Sequence, residues 1–388
     1  MNKDIFVKTL KLRHQLHQNP ELSGEEVETR KRLKKFLEDN SNLEIVDKGL
    51  WFYAKYTPEV PTDRRIAFRA DFDAIKVDEA LPLPYTSVNE GVSHKCGHDG
   101  HSAALAAFAL HVEETGADCN IYFLFQHGEE TGIGGGEASE LLYEEDIQEV
   151  YAIHNWPGAP FGSIGLRNGT INCASRGMEI RVKGEPAHAS EPENGKNPTM
   201  MLSRTILELK HIADLSRYEG LVLATIVQVD IGEPSFGVSA HKGRLLLTIR
   251  AELEDELEKL QQEIQDYVQK EVEKGGFEAG FAFYDEFPET YNDPECADHL
   301  RRLSRENGWL INEMEEPIRS SEDFGYYLKK RPGVLIWLGA GENWPPIHSE
   351  AFDYNDGLIE KTVEVFWGIT QDFIKRRQEQ RGQKKNAI

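Results

Sequence analysis

Residues 65–73 read Arg-Ile-Ala-Phe-Arg-Ala-Asp-Phe-Asp. Positions 65–70 form a run of strand length, and Asp71 and Asp73 follow it at once. Runs of the same kind cover 50–56, 120–125, 150–153 and 334–338. Helical patterns separate several of them, most clearly the alanine-rich stretch 102–114, which has the composition of a buried helix. Strands alternating with helices predict an α/β domain with a mostly parallel sheet and helices on both of its faces.

Such a sheet tells where to look for chemistry, because ligands of open α/β sheets bind beyond the carboxyl ends of the strands. Asp71 and Asp73 follow the first run, Glu129 and Glu130 follow 120–125, and His154 follows 150–153. His348 lies past 334–338, and Cys96 and His98 sit in a loop that feeds the helix starting near His101. Five segments thus bring ligand-type residues to one edge. The Cys96-x-His98 pair, crowded by His94, His101 and His127 in a polar loop, reads as a metal site. The paired carboxylates Glu129 and Glu130 add a general base beside it. Adjacent side chains of a regular strand point to opposite faces, so both must lie just beyond their strand. Isolated histidines such as His111 and His299 read as surface or packing residues, and Cys119 and Cys173 as core thiols.

The middle of the chain is patterned differently. A strand at 178–183, a helix at 198–216, strands at 221–231 and 243–253, an amphipathic helix at 255–274 and a strand at 277–283 follow one another. This β-α-β-β-α-β order is the ferredoxin-like pattern. It predicts an inserted domain at 176–288 within a catalytic domain made of 1–175 and 289–388. The first 39 residues read as a broken helix, with Ser23 before Glu25 and Glu26 resembling a helix start.

Composition excludes several classes. A net charge of −23 over 388 residues argues against nucleic acid, whose phosphates would be repelled. No apolar run reaches the length of a membrane span. Four widely spaced cysteines with no C-x-x-C pair point to free thiols in a reducing, cytoplasmic setting. The basic tail from Lys375 to Lys385 reads as a frayed terminus. The cluster Gly132-Ile133-Gly134-Gly135-Gly136 fails as a dinucleotide fingerprint, because Glu129 and Glu130 separate it from its strand. It reads instead as a turn that brings the carboxylates to the metals and opens the next helix.

Several stretches match a known family in order along the chain. They are Arg13-His14-Gln15-Leu16-His17-Gln18-Asn19-Pro20-Glu21-Leu22, Phe68-Arg69-Ala70-Asp71-Phe72-Asp73-Ala74, Cys96-Gly97-His98-Asp99-Gly100-His101 and Phe125-Gln126 with Glu129-Glu130. Further ones are His154-Asn155-Trp156-Pro157-Gly158, Gly162-Ser163-Ile164-Gly165, Ala187-His188-Ala189, Ser321-Glu322-Asp323-Phe324 and Ile347-His348-Ser349. In these the chain resembles the M20 metallopeptidases, in particular their amidohydrolase branch of aminoacylases, hippurate hydrolases, auxin–amino-acid hydrolases and N-acetyl-diaminopimelate deacetylases. It departs from many relatives at His127-Gly128, Gly237 and Arg319-Ser320. None of these positions is a metal ligand or the base, but all three bear on substrate preference.

The resemblance implies two divalent metal ions per subunit. Cys96, His98, Glu130, His154 and His348 match the ligands, with Cys96 bridging. Zinc suits this donor set, and manganese, cobalt and nickel also bind mixed sites. Glu129 matches the general base, which takes a proton from a metal-activated water and passes it to the leaving amine. His188 matches a lid histidine that helps hold the substrate's carbonyl oxygen. Asp71 would orient a ligand or tune its basicity from behind. The implied reaction is hydrolysis of an N-acyl amino acid to a carboxylate and a free amino acid. The implied partner is a second copy, docked through the inserted domain. A dipeptidase or carboxypeptidase of the same fold, and a non-catalytic metal-binding relative, are the alternatives.

Overall fold

A computed structural model describes residues 1–386, and their side chains as far as Glu379. It divides into two compact units. Unit 1 comprises residues 1–171, 290–316 and 323–388; unit 2 comprises 172–289 and 317–322.

The strands in chain order are β1 Glu44–Asp47, β2 Phe52–Tyr56, β3 Arg65–Asp71, β4 Asn120–Gln126, β5 Glu149–Pro157, β6 Ile164–Leu166 and β7 Gly169–Asn172. There follow β8 Ala174–Lys183, β9 Val222–Ile231, β10 Lys242–Ala251, β11 Glu278–Phe287, β12 Thr290–Asn292, β13 Ile311–Glu313 and β14 Gly333–Gly341. Unit 1 is built on an eight-stranded sheet of order β1-β2-β4-β3-β5-β14-β6-β13. Its centre, β4-β3-β5-β14, is parallel throughout. The flanks are mixed, with β1, β2 and β6 joining antiparallel neighbours. The central strands are buried along nearly their whole length, as their unbroken apolar runs require. Helix His98–Thr115 is enclosed on all sides from His98 to Leu110. Its alanines let it lie close to the sheet, where Phe108 meets Phe68 and Phe123 edge-on.

Four expectations need correction. His154 lies inside β5 rather than beyond it, because the strand continues to Pro157. The helix after the Cys96 loop begins at His98, three residues earlier than the alanine pattern indicated. Ser23 caps no helix; the second helix, Val27–Asn40, has no side-chain cap, and Ser23 instead donates to Asp73 Oδ2 at 2.6 Å. The basic tail also differs from its reading: the last helix, Gly357–Asn386, runs through it. Arg376 is no frayed residue, since its guanidinium forks onto Glu149 at 2.7 and 2.8 Å. The side chains of 380–385 lie outside the described residues.

Unit 2 has the strand-helix order read from the sequence, with helices Thr199–Ile212 and Glu254–Gly275 between the strands. Its sheet order is β11-β8-β10-β9, antiparallel throughout, which is the split-βαβ arrangement. Met178, Ile180 and Val182 alternate inward toward Leu257, Leu260 and Ile264 of the second helix, forming a core of its own.

Candidate metal centre

Register creates the site. Asp71 at the end of β3 pairs with Gln126 at the end of β4, and His154 of β5 pairs with Trp337 of β14. The carboxyl ends of the parallel strands therefore finish together, and the residues that follow share one edge.

Gly97 leads into His98 with φ +103°, and a Cβ at this position would lie 2.3 Å from Asn155 Oδ1. Only glycine allows the loop to turn this close to β5. The turn brings Cys96 Sγ within 3.5 Å of His154 Nε2. His154 Nδ1 is 2.9 Å from the Asn155 carbonyl, a bond that places the ring proton there and leaves Nε2 free to coordinate. Beyond β4, Gly128 (φ +60°) opens a short 3-10 turn, Glu129–Thr131, and Glu129 is buried in it. His98 Nε2 lies 3.7 Å from Glu130 Oε1 and 3.9 Å from Glu129 Oε2. His348 Nε2 reaches the same Glu130 oxygen at 3.5 Å. His348 has φ +62°, unusual for a side-chain-bearing residue, and its N–H is tied to the Lys95 carbonyl at 2.7 Å.

The donor atoms gather into overlapping triplets: Cys96, His98 and His154; Cys96, Glu130 and His348; His98, Glu129 and Glu130. Within each, all lie within 4.8 Å of one another. Cys96, His98 and Glu130 each belong to two of these groups, so the donors are placed to share divalent cations. His98 Nε2 and Glu130 Oε1 are buried without a hydrogen-bond partner, a costly arrangement that a shared cation relieves. The protonation equilibria agree. Burial, with Glu130, Glu129 and Asp71 near, holds the Cys96 thiol well above its ordinary pKa. Burial alone would lower His98, but Asp71 and Asp73 outweigh it and push the ring up to about 10. Burial above all, with the acidic neighbours second, keeps the Cys96 thiol protonated, whereas the carboxylates keep the His98 ring protonated; a divalent cation would displace both protons.

Behind the ligands, Asp71 helps push the His98 ring up, as one of its two expected roles requires, but it does not orient that ring. Asp71 bonds to His101 Nδ1 at 2.7 Å and to Arg69 at 2.7 Å, and stays 3.9 Å from His98 Nε2. The carboxylate that orients His98 is Asp73, 3.0 Å from Nδ1. Two residues of spacing separate the carboxylates, and no pattern in the sequence distinguishes their roles. His101 has both ring nitrogens engaged, the second with Asn155 Oδ1 at 2.6 Å, and with Asp71 and His98 it forms a further group able to hold a cation. His94 is buried and its ring nitrogens have no partner; burial pushes it down to about 4, keeping it neutral. Asp99, beside His98, belongs to a buried network. It meets His17 Nδ1 at 2.8 Å and forms an ion pair with Arg13, whose Nε lies 3.0 Å away without a hydrogen bond, while His17 Nε2 meets Glu79 at 3.0 Å and Lys95 pairs with the same glutamate. Widely separated polar residues of this kind give no periodic signal.

His188 belongs to unit 2, where it is exposed, with Nδ1 2.7 Å from Ser190 Oγ. It forms an isolated bridge with Val238, and Ala189 N–H donates to the Gly237 carbonyl at 3.1 Å. The loop that carries the substituted Gly237 is therefore joined to the segment that carries His188.

A parallel sheet whose carboxyl edge gathers thiol, imidazole and paired carboxylates defines a metallohydrolase. The sequence model of peptidase family M20/M25/M40 matches residues 67–372, and the chain belongs to that family. It is 27% identical over 376 residues to the N-acetylcysteine deacetylase of Bacillus subtilis, covering 94% of this chain and 96% of that one. It is 30% identical over 369 residues to the N-acetyldiaminopimelate deacetylase of Limosilactobacillus fermentum, covering 92% and 94%. Among solved structures, the YXEP protein of Bacillus subtilis, described as a dinuclear metal-binding peptidase of the M20 family, superposes with a TM-score of 0.79 at 24% identity. That match covers 95% of this chain and 98% of the other. No described helix is long and apolar enough to cross a membrane.

Proposed function

We propose that the protein is an amidohydrolase that cleaves an N-acyl amino acid into a carboxylate and a free amino acid. The observation that carries this reading is the buried Glu129 carboxylate, 3.9 Å from the unpartnered His98 Nε2 and next to Glu130 in the chain. The relatives' deacetylase activities, over nearly the whole chain, support it.

Cys96, His98, Glu130, His154 and His348 would hold two divalent ions, zinc by the softness of thiolate and imidazole, or manganese, which mixed nitrogen and oxygen sites also take. When bound, such ions lower the pKa of a water to about 7 and polarise an amide carbonyl. Glu129 supplies the base: its carboxylate takes the proton of the attacking water and hands it to the amide nitrogen, which leaves as an amine. Asp73 holds His98 in one tautomer and orientation. His188 of unit 2 is assigned as a donor to the substrate's carbonyl oxygen. The reading includes a homodimer through unit 2, because β9 is an edge strand that exposes Ile226, Val227 and Val229. It also places the enzyme in the cytoplasm, whose reducing conditions suit four free thiols.

The test is a panel of N-acetyl amino acids and dipeptides, assayed after chelation and after metal add-back, with wild type and Glu129→Gln. Acetyl-amino acids should be the better substrates, chelation should abolish turnover and add-back should restore it. Glu129→Gln should keep its metals and lose about 100- to 10,000-fold in kcat. Faster cleavage of dipeptides, or indifference to chelation, would overturn the reading.

A further inference from the structure

Glu26 stands just before helix Val27–Asn40 but makes no side-chain cap hydrogen bond to it. It is buried, and its Oε1 accepts the backbone N–H of Gly128 at 2.7 Å. Gly128 immediately precedes Glu129. From the other side the same turn is closed by Ile133 N–H on the Gly128 carbonyl at 3.1 Å. A Cβ at Gly128 would lie 2.5 Å from Ile133 Cγ1, and a Cβ at Gly24 would meet Ile133 Cδ1 at 3.6 Å. The turn at 23–26 therefore packs directly on the turn that presents Glu129. Ser23 adds a second link: it donates to Asp73 Oδ2, which also accepts Glu130 N–H at 2.9 Å. The backbone is thus gripped on both sides of Glu129, at Gly128 directly and at Glu130 through Asp73. The 3-10 turn between has only three residues, too few to hold its own direction.

We propose that Glu26 is a positioning residue for the reaction, bracing Gly128 and so setting the direction in which Glu129 projects. The proposal rests on the reading of Glu129 as the base. Burying a carboxyl is costly, and a capping role that would repay it is not made. Burial, reinforced by the charge of Asp73, pushes the Glu26 carboxyl up to about 7. An amide at this position still offers an oxygen to the Gly128 N–H, whereas a methyl group does not.

The experiment compares Glu26→Ala, Glu26→Gln and Glu129→Gln with wild type as metal-replete enzymes. It reads kcat, KM, metal content and hydrogen exchange at the Gly128 amide. Glu26→Ala should lower kcat about 10- to 100-fold, with KM and metal content retained and Gly128 exchange accelerated. Glu26→Gln should recover most of kcat and the protection. Should Glu26→Ala fail to fold, Glu26→Asp, one methylene too short to reach Gly128, should show the same kcat loss. The proposal is overturned if kcat is unimpaired in the Ala and Asp variants, if Gln is no better than Ala, or if the loss follows metal content. A fully active Glu129→Gln would remove the base reading, and this proposal with it. An inactive Glu129→Gln beside an unimpaired Glu26→Ala would remove the brace alone.

Discussion

The Asp73 carboxylate is engaged by His98 Nδ1 at 3.0 Å, Ser23 Oγ at 2.6 Å and Glu130 N–H at 2.9 Å. It is fully enclosed and stays ionised: burial opposes this, but the bonds from His98 and Ser23 outweigh it and hold its pKa low. One side chain thereby orients a ligand and anchors the backbone of another. Asp73→Ala should weaken metal binding about 10- to 100-fold, as removal of such outer partners does elsewhere. Metal titration followed by calorimetry checks this. Asp71 and Asp73 follow the same strand, and the sequence pointed to Asp71 alone as the supporting carboxylate. Their division of labour appears only when β3 and helix His98–Thr115 are in place, because it depends on which ring nitrogen each carboxylate reaches.

At the level of elements, the site is an assembly of strand and helix ends. The helix from His98 starts on Gly97, whose backbone at φ +103° and closeness to Asn155 admit no side chain. Gly97→Ala should cost about 1–3 kcal/mol of stability from backbone strain alone. It should also weaken metal binding by moving Cys96 and His98 apart, read by thermal unfolding with and without metal. The alanine periodicity identified the helix but not its first turn. His98, Asp99 and His101 are polar, yet all three are buried by contacts made far away in the chain. Likewise the apolar run at 150–153 located β5 without showing that the strand continues through His154. A histidine facing a metal site has no hydrophobic pattern to extend.

Across the whole molecule, unit 1 ties its N-terminal helix Lys3–Gln18 to the site through buried charges. Glu79 pairs there with His17 and Lys95. Burial would raise the Glu79 pKa, but those partners outweigh it and bring it down from 4.5 to about 2. The ionised carboxylate therefore stabilises the fold fully above about pH 4.5, and the contribution is lost as pH falls through about 2. Glu79→Gln should lower stability at pH 7 by about 1–3 kcal/mol, as loss of a hydrogen-bonding partner to charged groups does, with a gap to wild type that closes between pH 4.5 and 2 in denaturant titrations. In unit 2, a Val229→Lys substitution on the exposed edge strand should shift a dimer to monomer in light scattering while unit 2 stays folded. By itself the sequence determined the alternation of strands and helices and the β-α-β-β-α-β order, and it singled out Cys96, His98, Glu129, Glu130, His154 and His348 as candidates for one site. Those are local properties, written in the period of apolar residues and in short motifs. The tertiary structure alone decided that Asp73 rather than Asp71 holds His98 Nδ1, that His101 lies between Asp71 and Asn155, and that Glu26 reaches Gly128. Each of these depends on side-chain distances across segments remote in the chain, which no local pattern encodes.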